Sequence, residues 1–433
     1  MADSARNVER CQPRKETGYK MSEPNFANRT VWTGDNLDVL RGINSECVDL
    51  VYLDPPFNSN RDYAAPIGSE AAGAAFKDTW TLDDVDEAWL DEIEERNPAL
   101  HAVIDAAGLV HGGGMKSYLI MMGARLLELK RVLKPTGSIY LHCNHEANSY
   151  LRMLMDSVFG QNNFRNEIVW CYTGPGSPGM RQFNRKHDNI YWYSVSGEWC
   201  FNADAVRIEH HAKTRENFKP GLTGSGFVAE TYDLAPTGKV PESWWAQAKG
   251  NGLAIAARQT KQYVGYPTQK PLALLDRIIR ASSNEGDVIL DPFCGCATTL
   301  VAAETVGNRH WAGIDLSPLA VKLVNHRLRD QHGLFGQILE RTDIPRRTDL
   351  GDEVVPTEYK AVMYGEQRGY CNGCRHHFQY RNLAVDHIIP RVREGTDHAE
   401  NLQLLCTSCN SMKGVGTHEA LLAKLKAKGL IAT

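Results

Sequence analysis

The sequence lacks any apolar run that approaches the roughly 20 residues needed to span a membrane. Its first twenty residues are polar and charged, so they also lack the hydrophobic core of a signal peptide. The chain also lacks a large excess of charge of one sign, because its formal net charge is only -4 over 433 residues. These absences predict a cytoplasmic protein without a membrane partner, and they count against a protein that coats DNA along its whole surface.

Cysteine is sparse outside one C-terminal cluster. The chain has 11 cysteines, which are scattered apart from two CxxC units near the C-terminus. In a reducing compartment such clustered cysteines are metal ligands rather than disulfide partners. Cys371, Cys374, Cys406 and Cys409 therefore predict one structural zinc ion held by four thiolates.

The chain has no internal repeat, and its length exceeds what one hydrophobic core usually supports, so two or more domains are expected. Runs with strand and helix periods alternate, which predicts an α/β fold with a parallel sheet wrapped by helices. The predicted segments are a tail at 1–25, an α/β half at 26–197, an irregular region at 198–262, a second α/β half at 263–335, a polar linker at 336–357 and a separate module at 358–433.

Periodicity also predicts the individual elements. Strands are expected near residues 48–53, 138–142, 167–172, 189–193, 287–291 and 310–314. Helices are expected near residues 115–133, 148–159, 272–279, 298–306 and 317–329. The acidic stretch at 83–95 is interpreted as a solvated helical face.

Residues 287–299 form a strand, a glycine-containing turn and the start of a helix. Ligands of an open parallel sheet bind at the carboxyl ends of its strands, where Gly295 lets a ligand approach the backbone. The next predicted strand ends at Asp315, 24 residues beyond Asp291, and a carboxylate there can accept hydrogen bonds from both ribose hydroxyls. Alone, this segment is compatible with any nucleoside-containing cofactor or with a purely structural turn.

Asp54, Pro55, Pro56 and Phe57 follow a hydrophobic strand. The two prolines remove two backbone donors and fix the chain, which leaves carbonyl groups free. A carboxylate and a carbonyl that accept both N–H bonds of an exocyclic amine push its nitrogen toward tetrahedral geometry and raise its reactivity. Phe57 can stack on a base flipped out of a duplex, and most of the catalysis is then positioning of the amine.

The sequence DPFCGCATT at 291–299 resembles the S-adenosylmethionine motif of the amino-group DNA methyltransferases, with Ala297 where that family usually has glycine. The segments at 268–271 (TQKP) and 34–35 resemble two further cofactor segments of the family. The catalytic motif precedes the cofactor motif, which resembles the beta-type permutation. The resemblance implies a Rossmann-like methyltransferase fold with circularly permuted motifs and S-adenosylmethionine as cofactor.

The resemblance also implies roles for single residues. Asp35 would contact the adenine amine of the cofactor, Asp315 its ribose, and Asp291 with Phe293 its methionine side. The implied cofactor-binding residues are Asp35, Thr268, Lys270, Asp291, Phe293, Gly295, Thr298, Thr299 and Asp315. The implied catalytic residues are Asp54, Pro55, Pro56 and Phe57.

The implied substrate is double-stranded DNA, and the implied source is bacterial or phage-encoded. A leading Asp in the proline motif is associated in this family with adenine, and a leading Ser with cytosine. Asp54 therefore favours the N6 amine of adenine, with the N4 amine of cytosine as the alternative. The region at 198–262 lies where the beta type carries its target-recognition region, and its Trp244 and Trp245 are candidates for reading a groove.

The C-terminal module resembles an HNH endonuclease domain, a ββα-metal nuclease, over about 60 residues that include Leu383–Pro390 and the four cysteines. By that resemblance His387 activates water, while Asp386 and Asn410 hold one Mg or Mn ion that stabilises the leaving oxygen. Asn401 would lock the loop that bears His387. Asn410 stands where many members have a final His, so a zinc-stapled DNA-binding module without cleavage is the alternative.

Three functions are weighed for the whole chain. The favoured one is a DNA amino-methyltransferase fused to an HNH nuclease. The second is a nuclease whose methyltransferase fold only recognises DNA, and the intact motif at 54–57 argues against it. The third is a methyltransferase of RNA or protein, and the permuted motif order argues against that. The sequence leaves a homodimer open.

Overall fold

The computed structural model describes residues 22–57, 63–64, 75–76, 84–174, 181–210, 212–217, 234–247, 253, 263–264, 266, 268–332, 338–349, 354–393 and 395–431. Most of the predicted N-terminal tail and nearly half of the region at 198–262 lie outside these residues. Within the described ranges, no helix is long and apolar enough to cross a membrane.

The strands are β1 (Thr30–Thr33), β2 (Val48–Leu53), β3 (Tyr63–Ala64), β4 (Ala75–Phe76), β5 (Leu133–Cys143), β6 (Phe164–Cys171), β7 (His187–Ser194), β8 (Trp244–Ala246), β9 (Val288–Asp291), β10 (His310–Asp315), β11 (Leu339–Arg341), β12 (Leu383–His387) and β13 (Leu402–Cys406). The helices are α1 (Asn36–Gly42), α2 (Asp84–Arg96), α3 (Pro98–His111), α4 (Gly113–Val132), α5 (Asn148–Phe159), α6 (Ala212–Asn217), α7 (Leu272–Ser282), α8 (Thr298–Val306), α9 (Pro318–His332), α10 (Lys360–Glu366), α11 (Thr407–Lys413) and α12 (His418–Ala427).

Nine strands form one sheet in the order β11-β1-β10-β9-β2-β5-β7-β6-β8. The strands from β11 to β5 run parallel, whereas β7 is antiparallel to both β5 and β6. The predicted α/β fold is confirmed, but the expected parallel arrangement ends at β5. The described residues between β6 and β7 contain no helix, and a chain that returns without a crossover pairs antiparallel.

Helices cover both faces of this sheet. Val51 and Leu53 of β2 point into a core shared with α1 to α5, whereas Leu50 and Tyr52 point into a core shared with α7 to α9. The two-residue period of a strand produces this alternation. The result is a three-layer domain in which β9 and β2 lie at the centre, buried on both sides.

Helix α4 ends at Val132, close to the predicted stop, but β5 begins at once at Leu133 rather than at Ser138. The register with β2 shifts between Val48 and Leu50, so residues 134–137 lie in an irregular start of the strand. A bulge of this kind accommodates the proline at 135, which cannot donate to the ladder.

The C-terminal module has the predicted ββα order. Strands β12 and β13 pair antiparallel, from Leu383 opposite Cys406 to His387 opposite Leu402, and α11 follows directly. The module has its own small core, which includes Leu404, Leu405 and Leu421. It is therefore a second unit built around a separate hydrophobic cluster.

Helix α10 joins the module to the first domain. It packs against α2, and its Gly365 lies so close to Glu92 and Arg41 that an added Cβ would collide with both side chains. Beyond the helix, Arg368 forms an ion pair with Asp38 of α1 at 2.8 Å. Glycine at position 365 thus permits the close approach of the two units.

Part of the predicted linker is also fixed to the first domain. The backbone N–H of Thr348 donates to Asn44 Oδ1 at 2.8 Å, and the backbone N–H of Ser45 donates to Asp349 Oδ2 at 2.7 Å. These bonds join positions about 300 residues apart in the chain. They hold the start of the C-terminal part against the loop that follows α1.

The acidic stretch is solvated on one side only. Glu94 and Glu95 are exposed, but Glu92 is buried, and it pairs with Arg41 and, at 2.7 Å, with Arg96. Burial raises the pKa of Glu92, and the two guanidinium groups oppose that rise. The interpretation of the stretch as a solvated face was therefore wrong for Glu92, since a buried carboxylate needs such partners.

Candidate active sites

Four strand ends bring the predicted cofactor and catalytic residues to one edge of the sheet. Asp35 follows β1, Asp315 ends β10, Asp291 ends β9, and Asp54 follows β2. These strands are parallel neighbours, in the order β1-β10-β9-β2. Their carboxyl ends therefore line one crevice, which is where open α/β sheets bind ligands.

The glycine turn after β9 is tied to the end of β10. The backbone N–H of Gly295 donates to Asp315 Oδ2 at 2.8 Å, and the N–H of Ser317 donates to Asp315 Oδ1 at 2.8 Å. Gly295 has a φ of +48°, and Ala297 has a left-handed φ of 62°. Position 297 thus requires a backbone conformation that glycine adopts without cost, which explains why the related motif usually has glycine there.

Helix α8 begins directly after this turn with two threonines. Thr298 and Thr299 are both buried, and the Thr298 hydroxyl accepts a hydrogen bond from Arg327 Nη1 at 3.2 Å. Arg327 of α9 also donates to the carbonyl of Cys296. The turn that would face a cofactor is therefore braced from behind by a buried guanidinium group.

Two carboxylates at the crevice, those of Asp291 and Asp315, are disfavoured in their ionised form. Burial, together with the charges of Asp54 and Asp315, raises the pKa of Asp291 to about 7, although Thr299 and the N–H of Phe293 donate to its carboxylate. Burial also raises the pKa of Asp315. A positively charged ligand would offset the cost of ionising these two buried carboxylates, whereas Asp54 already pairs with Lys270.

Asp35 is held at the rim of the crevice by two donors. Its Oδ1 accepts from the backbone N–H of Leu37, which caps α1, and from Arg125 Nη2 at 2.8 Å. Arg125 also bonds Asn36 Oδ1, and Asn36 Nδ2 donates to the carbonyl of Pro292 at 2.6 Å. This buried chain links the predicted adenine contact to the DPF segment of the turn.

Asp54 forms an ion pair with Lys270. Lys270 Nζ lies 2.7 and 2.9 Å from the two carboxylate oxygens and donates to the carbonyl of Thr268 at 3.3 Å. The side chains of Lys270 and Asp54 are only 8% and 18% exposed. Two segments that resembled separate cofactor and catalytic motifs therefore meet at one contact, 216 residues apart in sequence.

Phe57 lies between this ion pair and a buried histidine. Its ring stacks on His142, with centroids 5.8 Å apart and planes inclined by 28°, and Lys270 Nζ lies 5.1 Å from its centroid. Phe57 is half-buried. The aromatic side chain that the motif offers to a flipped base thus has a defined support.

His142 is the centre of a buried hydrogen-bonded chain. Its Nδ1 lies 2.8 Å from the Tyr52 hydroxyl, its Nε2 lies 3.1 Å from Asp188 Oδ2, and the Tyr172 hydroxyl donates to Asp188 Oδ1 at 3.2 Å. Burial alone would raise the pKa of Asp188, but the hydrogen bond and charge of His142 bring it below its usual value. An ionised Asp188 fixes the imidazole ring that supports Phe57.

The four cysteines of the C-terminal module converge as predicted. Their sulfur atoms all lie within 4.8 Å of one another, and Cys374 Sγ is 3.9 Å from Cys406 Sγ. A tetrahedral zinc ion with bonds of about 2.3 Å requires sulfur atoms about 3.8 Å apart. Backbone N–H groups, including that of Cys406 at 3.2 Å, outweigh burial and lower the pKa of Cys371, which favours the thiolate. The donor set therefore fits one zinc ion.

His387 ends β12 and pairs with a carboxylate. Its Nε2 lies 2.6 Å from Asp397 Oδ1, and Arg391 also pairs with Asp397. The Arg391 and His387 contacts lower the pKa of Asp397. An ionised Asp397 holds the proton on Nε2, so Nδ1 is left as the basic nitrogen that a general base requires.

Asn401 bridges the loop that follows His387. Its Oδ1 accepts from the N–H of Ile389, and its Nδ2 donates to the carbonyls of Ile389 and Thr396, all at 2.8–2.9 Å. Its own carbonyl accepts from the N–H of Ile388 at 2.7 Å. These bonds are the ones that a loop-locking role needs.

Asp386 faces helix α11. Its Oδ2 accepts from Gln403 Nε2 at 3.0 Å and lies 3.0 Å from the fully buried Nζ of Lys413. Asn410 lies three residues before Lys413, on the same side of the helix. In the described part of the chain the contacts of Asp386 fall on Oδ2, which leaves Oδ1, with the Asn410 amide oxygen, as hard donors that fit Mg or Mn.

In a comparison with known proteins, the methylase part and the C-terminal module each match a protein family. Residues 48–326 match the DNA methylase family of N6/N4 methyltransferases, and residues 371–416 match the HNH endonuclease family. The first match spans more than half of the chain.

The chain belongs to the DNA methylase family. It also carries an HNH endonuclease domain, so both expected family memberships are confirmed.

Two relatives and one solved structure illustrate the similarity. The chain is 28% identical over 306 residues to the DNA adenine methyltransferase YhdJ of Escherichia coli (strain K12), covering 69% of this chain and 82% of YhdJ. It is 26% identical over 326 residues to the Type II methyltransferase M.HpaI of Haemophilus parainfluenzae, covering 75% and 81%. A putative DNA modification methylase of Thermus thermophilus, solved with S-adenosyl-L-methionine, is 18% identical, with a TM-score of 0.40, over 73% of this chain and 100% of that one.

Several residues that shape the methylase site were missed in the sequence. Tyr52, His142 and Asp188 form the support of Phe57, and Arg125 holds Asp35. A signal was present for His142, because a histidine is the next-to-last residue of the apolar run GSIYLHC of β5. Such a residue at the carboxyl end of a buried strand points to the ligand edge of the sheet.

The interpretation of Trp245 as a groove reader was wrong. Trp244 is 60% exposed, whereas Trp245 is 8% exposed and packs in the second core under Arg277. Successive residues of β8 point to opposite faces, so the two indoles cannot share one surface. Trp244 stays a candidate for DNA contact.

Proposed function

We propose that the chain transfers a methyl group from S-adenosylmethionine to the N6 amine of adenine in duplex DNA, after flipping the base out of the helix. The observation that carries this proposal is the position of Asp54. Its carboxylate stands at the same edge of the sheet as Asp291 and Asp315, next to Phe57 on its stacked support. The amine acceptor, the cofactor crevice and the base platform are thus neighbours.

The crevice fits S-adenosylmethionine by charge and by its hydrogen-bond acceptors. The cofactor carries a sulfonium and an ammonium group besides one carboxylate, so its net charge is positive, and the carboxylates of Asp54, Asp291 and Asp315 lie at the crevice. Asp315 would hold the ribose, Asp291 and Phe293 the methionine side, and Asp35 the adenine amine. When bound, S-adenosylmethionine supplies an electrophilic methyl group.

The residues of this chain then position the amine. Asp54 and the carbonyl of Pro55 would accept the two N–H bonds of the target amine, which directs the nitrogen lone pair toward the methyl group. Lys270 holds both oxygens of Asp54 and so fixes the direction of these bonds. Each carboxylate oxygen has a second lone pair, so the ion pair still leaves acceptors for the substrate.

Adenine is proposed over cytosine on two supports. The proline motif begins with Asp54, which is the form associated with adenine in this family. The relative YhdJ is named a DNA adenine methyltransferase.

The test is methylation of plasmid DNA by the purified chain, followed by mass spectrometry of the nucleosides. N6-methyladenine is expected, and N4-methylcytosine alone would reject the adenine assignment. Asp54→Asn should lower the rate at least 100-fold, about 2.7 kcal/mol of transition-state stabilisation. The matched control is Asp49→Asn, because Asp49 lies at the other end of β2 and pairs with Lys134 at 2.8 Å.

Asp49→Asn should leave the methylation rate within about three-fold of the unsubstituted chain. Equal loss in both variants would mean that the Asp54 effect is structural. No methyl transfer to any DNA would reject the proposed function. Long-read sequencing of DNA from a host that expresses the chain would report the modified base and its sequence context together.

A second activity is favoured by the pairing of His387 with Asp397. We infer that the HNH domain cleaves DNA with Mg or Mn, which Asp386 Oδ1 and Asn410 would hold. The metal would stabilise charge on the leaving oxygen. His387 Nδ1, set by the Asp397 contact on Nε2, would accept the proton of the attacking water.

The cleavage test uses the full chain and supercoiled plasmid with Mg, Mn or chelator. Nicking should require the metal and should vanish in His387→Ala, while methylation persists in that variant. His376→Ala is the control, because this exposed histidine lies in the same domain. If no DNA is cut under any of these conditions, the domain is the non-cleaving alternative.

A further inference from the structure

The loop at residues 181–186 lies at the same edge of the sheet as Asp54. It leads into β7, which starts opposite the carboxyl end of β5, with Cys143 paired to Asn189. Strand β5 runs parallel to β2, so its carboxyl end and that of β2 lie on the same side. The loop therefore enters the sheet beside the proposed site of methyl transfer.

Three contacts anchor the loop around the support of Phe57. The carbonyl of Lys186 accepts from the N–H of Tyr172 at 3.0 Å, and Arg185 contacts His145, which follows β5. Asp188, two residues after Lys186, bonds His142, whose ring carries Phe57. The C-terminal end of the loop is thus fixed to the hydrogen-bonded chain beneath the base platform.

Phe183 stands at the exposed part of this loop. It is 97% exposed, more than any other aromatic side chain in the described part of the chain. Residues 181–187, RQFNRKH, include Arg181, Arg185 and Lys186 and no carboxylate. An isolated exposed apolar residue needs no explanation by itself. An exposed phenyl ring within a cationic segment beside a base-flipping site does have a matching partner, which is duplex DNA.

Flipping a base leaves a gap in the stack that costs free energy to keep open. Apolar side chains that enter between base steps replace the lost stacking, and phosphates are held by nearby cations. We propose that Phe183 enters the stack at the position of the flipped adenine while Arg181 and Lys186 contact the flanking phosphates. This inference rests on the proposed DNA methylation and assigns a further residue to it.

The experiment measures single-turnover methylation on three forms of the DNA sequence that the chain methylates. The forms are a fully paired duplex, a duplex with an abasic position opposite the target adenine, and a single strand. Phe183→Ala should slow methylation of the paired duplex at least ten-fold. On the other two forms, where the base is already unpaired, the methylation rate of Phe183→Ala should stay within three-fold of the rate of the unsubstituted chain.

Two controls separate this role from others. Leu109→Ala removes a side chain that is 90% exposed on α3, and it should change no rate by more than two-fold. Phe183→Trp keeps a ring that can stack, and it should retain most of the rate on the paired duplex. S-adenosylmethionine affinity by calorimetry should be unchanged in all three variants.

Each outcome decides between the two proposals. If Phe183→Ala methylates the paired duplex at the original rate, or loses equally on all three forms, the inference about Phe183 is wrong and the methylation proposal stands. If the unsubstituted chain methylates none of the three forms, the proposed function fails and this inference fails with it. Selective loss on the paired duplex supports both.

Discussion

The methylase and HNH sites each hold an aspartate against a lysine that is nearly or fully buried. Asp54 meets Lys270 at 2.7 and 2.9 Å, and Asp386 lies 3.0 Å from Lys413. In the methylase site the lysine spans both carboxylate oxygens. In the HNH site the described contacts fall on one oxygen only.

This difference suits the ligands that each site is proposed to take. A neutral base amine needs carboxylate lone pairs that point at its N–H bonds. The same carboxylate can at the same time accept hydrogen bonds from an ammonium group. A divalent cation needs a free anionic oxygen, and a second positive charge nearby opposes it. An aspartate–lysine pair therefore orients a hydrogen-bond acceptor in the methylase site, whereas a pair of the same kind balances a buried charge in the HNH site.

The largest expected effect comes from Lys413→Met. The fully buried Nζ of Lys413 compensates Asp386, which is itself 13% exposed. Loss of one partner of a buried pair typically costs about 3 to 5 kcal/mol. Hydrogen exchange of the backbone amides in β12, β13 and α11 should report local destabilisation of that order.

The matched control is Lys424→Met, which removes an exposed ammonium group that donates to the Met412 carbonyl. It should change the exchange of the same amides by less than about 0.5 kcal/mol. Unchanged exchange in Lys413→Met would mean that Lys413 does not balance Asp386. The contrast between the two sites would then disappear.

Lys270→Ala tests the orienting half of the comparison. Without Lys270, both oxygens of Asp54 lose a fixed partner, and a misplacement of about 1 Å can cost about 100-fold in rate. The kcat for methylation should fall by that factor, about 2.7 kcal/mol, while the Kd for S-adenosylmethionine changes less than three-fold. Lys134→Ala removes the ammonium partner of Asp49, whose Oδ2 still accepts from the N–H of Val288, and it should leave kcat unchanged.

The family resemblance assigned Lys270 to the cofactor, so the opposite result is equally informative. If the Kd for S-adenosylmethionine rises while kcat is preserved, Lys270 is a cofactor ligand. The contact with Asp54 would then be a feature of the cofactor-free chain. Calorimetry and single-turnover kinetics on the same preparations separate the two roles.

Asp291 predicts a pH dependence for cofactor binding. Its pKa is about 7 in the folded chain, against an ordinary 3.8, so the cofactor-free fold holds a proton that the unfolded chain has already lost in this window. The contribution of Asp291 to the stability of the fold is therefore full below the pKa that this residue has in the unfolded chain. It is lost as the pH rises through the pKa that the residue has in the folded chain. A cationic cofactor favours the ionised form, so binding should release a proton.

The affinity for S-adenosylmethionine should thus rise about ten-fold per pH unit up to about pH 7 and then level off. Calorimetry in buffers of different ionisation enthalpy measures the released proton directly. Asp291→Asn should remove the slope. Asp287→Asn is the control, because burial raises the pKa of Asp287 to about 6, but that residue precedes β9 and lies at the opposite end of the strand.

Much of this organisation could be predicted from the chain. The α/β order, the strand ends at Asp54, Asp291 and Asp315, and the four-cysteine cluster follow from local periodicity and motif spacing. These features depend on short segments. Each segment carries its own pattern, so no knowledge of tertiary contacts was required.

The contacts that orient the sites could not be predicted in the same way. The pair of Asp54 with Lys270 depends on β2 and α7 being brought together by the sheet order. The support of Phe57 by His142 likewise depends on the neighbouring position of β5. Sequence spacing carries no direct record of such long-range neighbours.

The smallest expected effect concerns Ala297, which stands where the related motif usually has glycine. Its left-handed φ of 62° shows that backbone conformation, more than side-chain size, decides this position. An L-residue in that region costs about 1–2 kcal/mol, which glycine avoids. Part of this gain is lost, because glycine has more conformational freedom in the unfolded chain. Ala297→Gly should therefore stabilise the methylase domain by about 0.5–1 kcal/mol in urea unfolding. Ala302→Gly, inside helix α8, should instead destabilise it by about 1 kcal/mol, and a loss of stability in both variants would show that the turn tolerates alanine without strain.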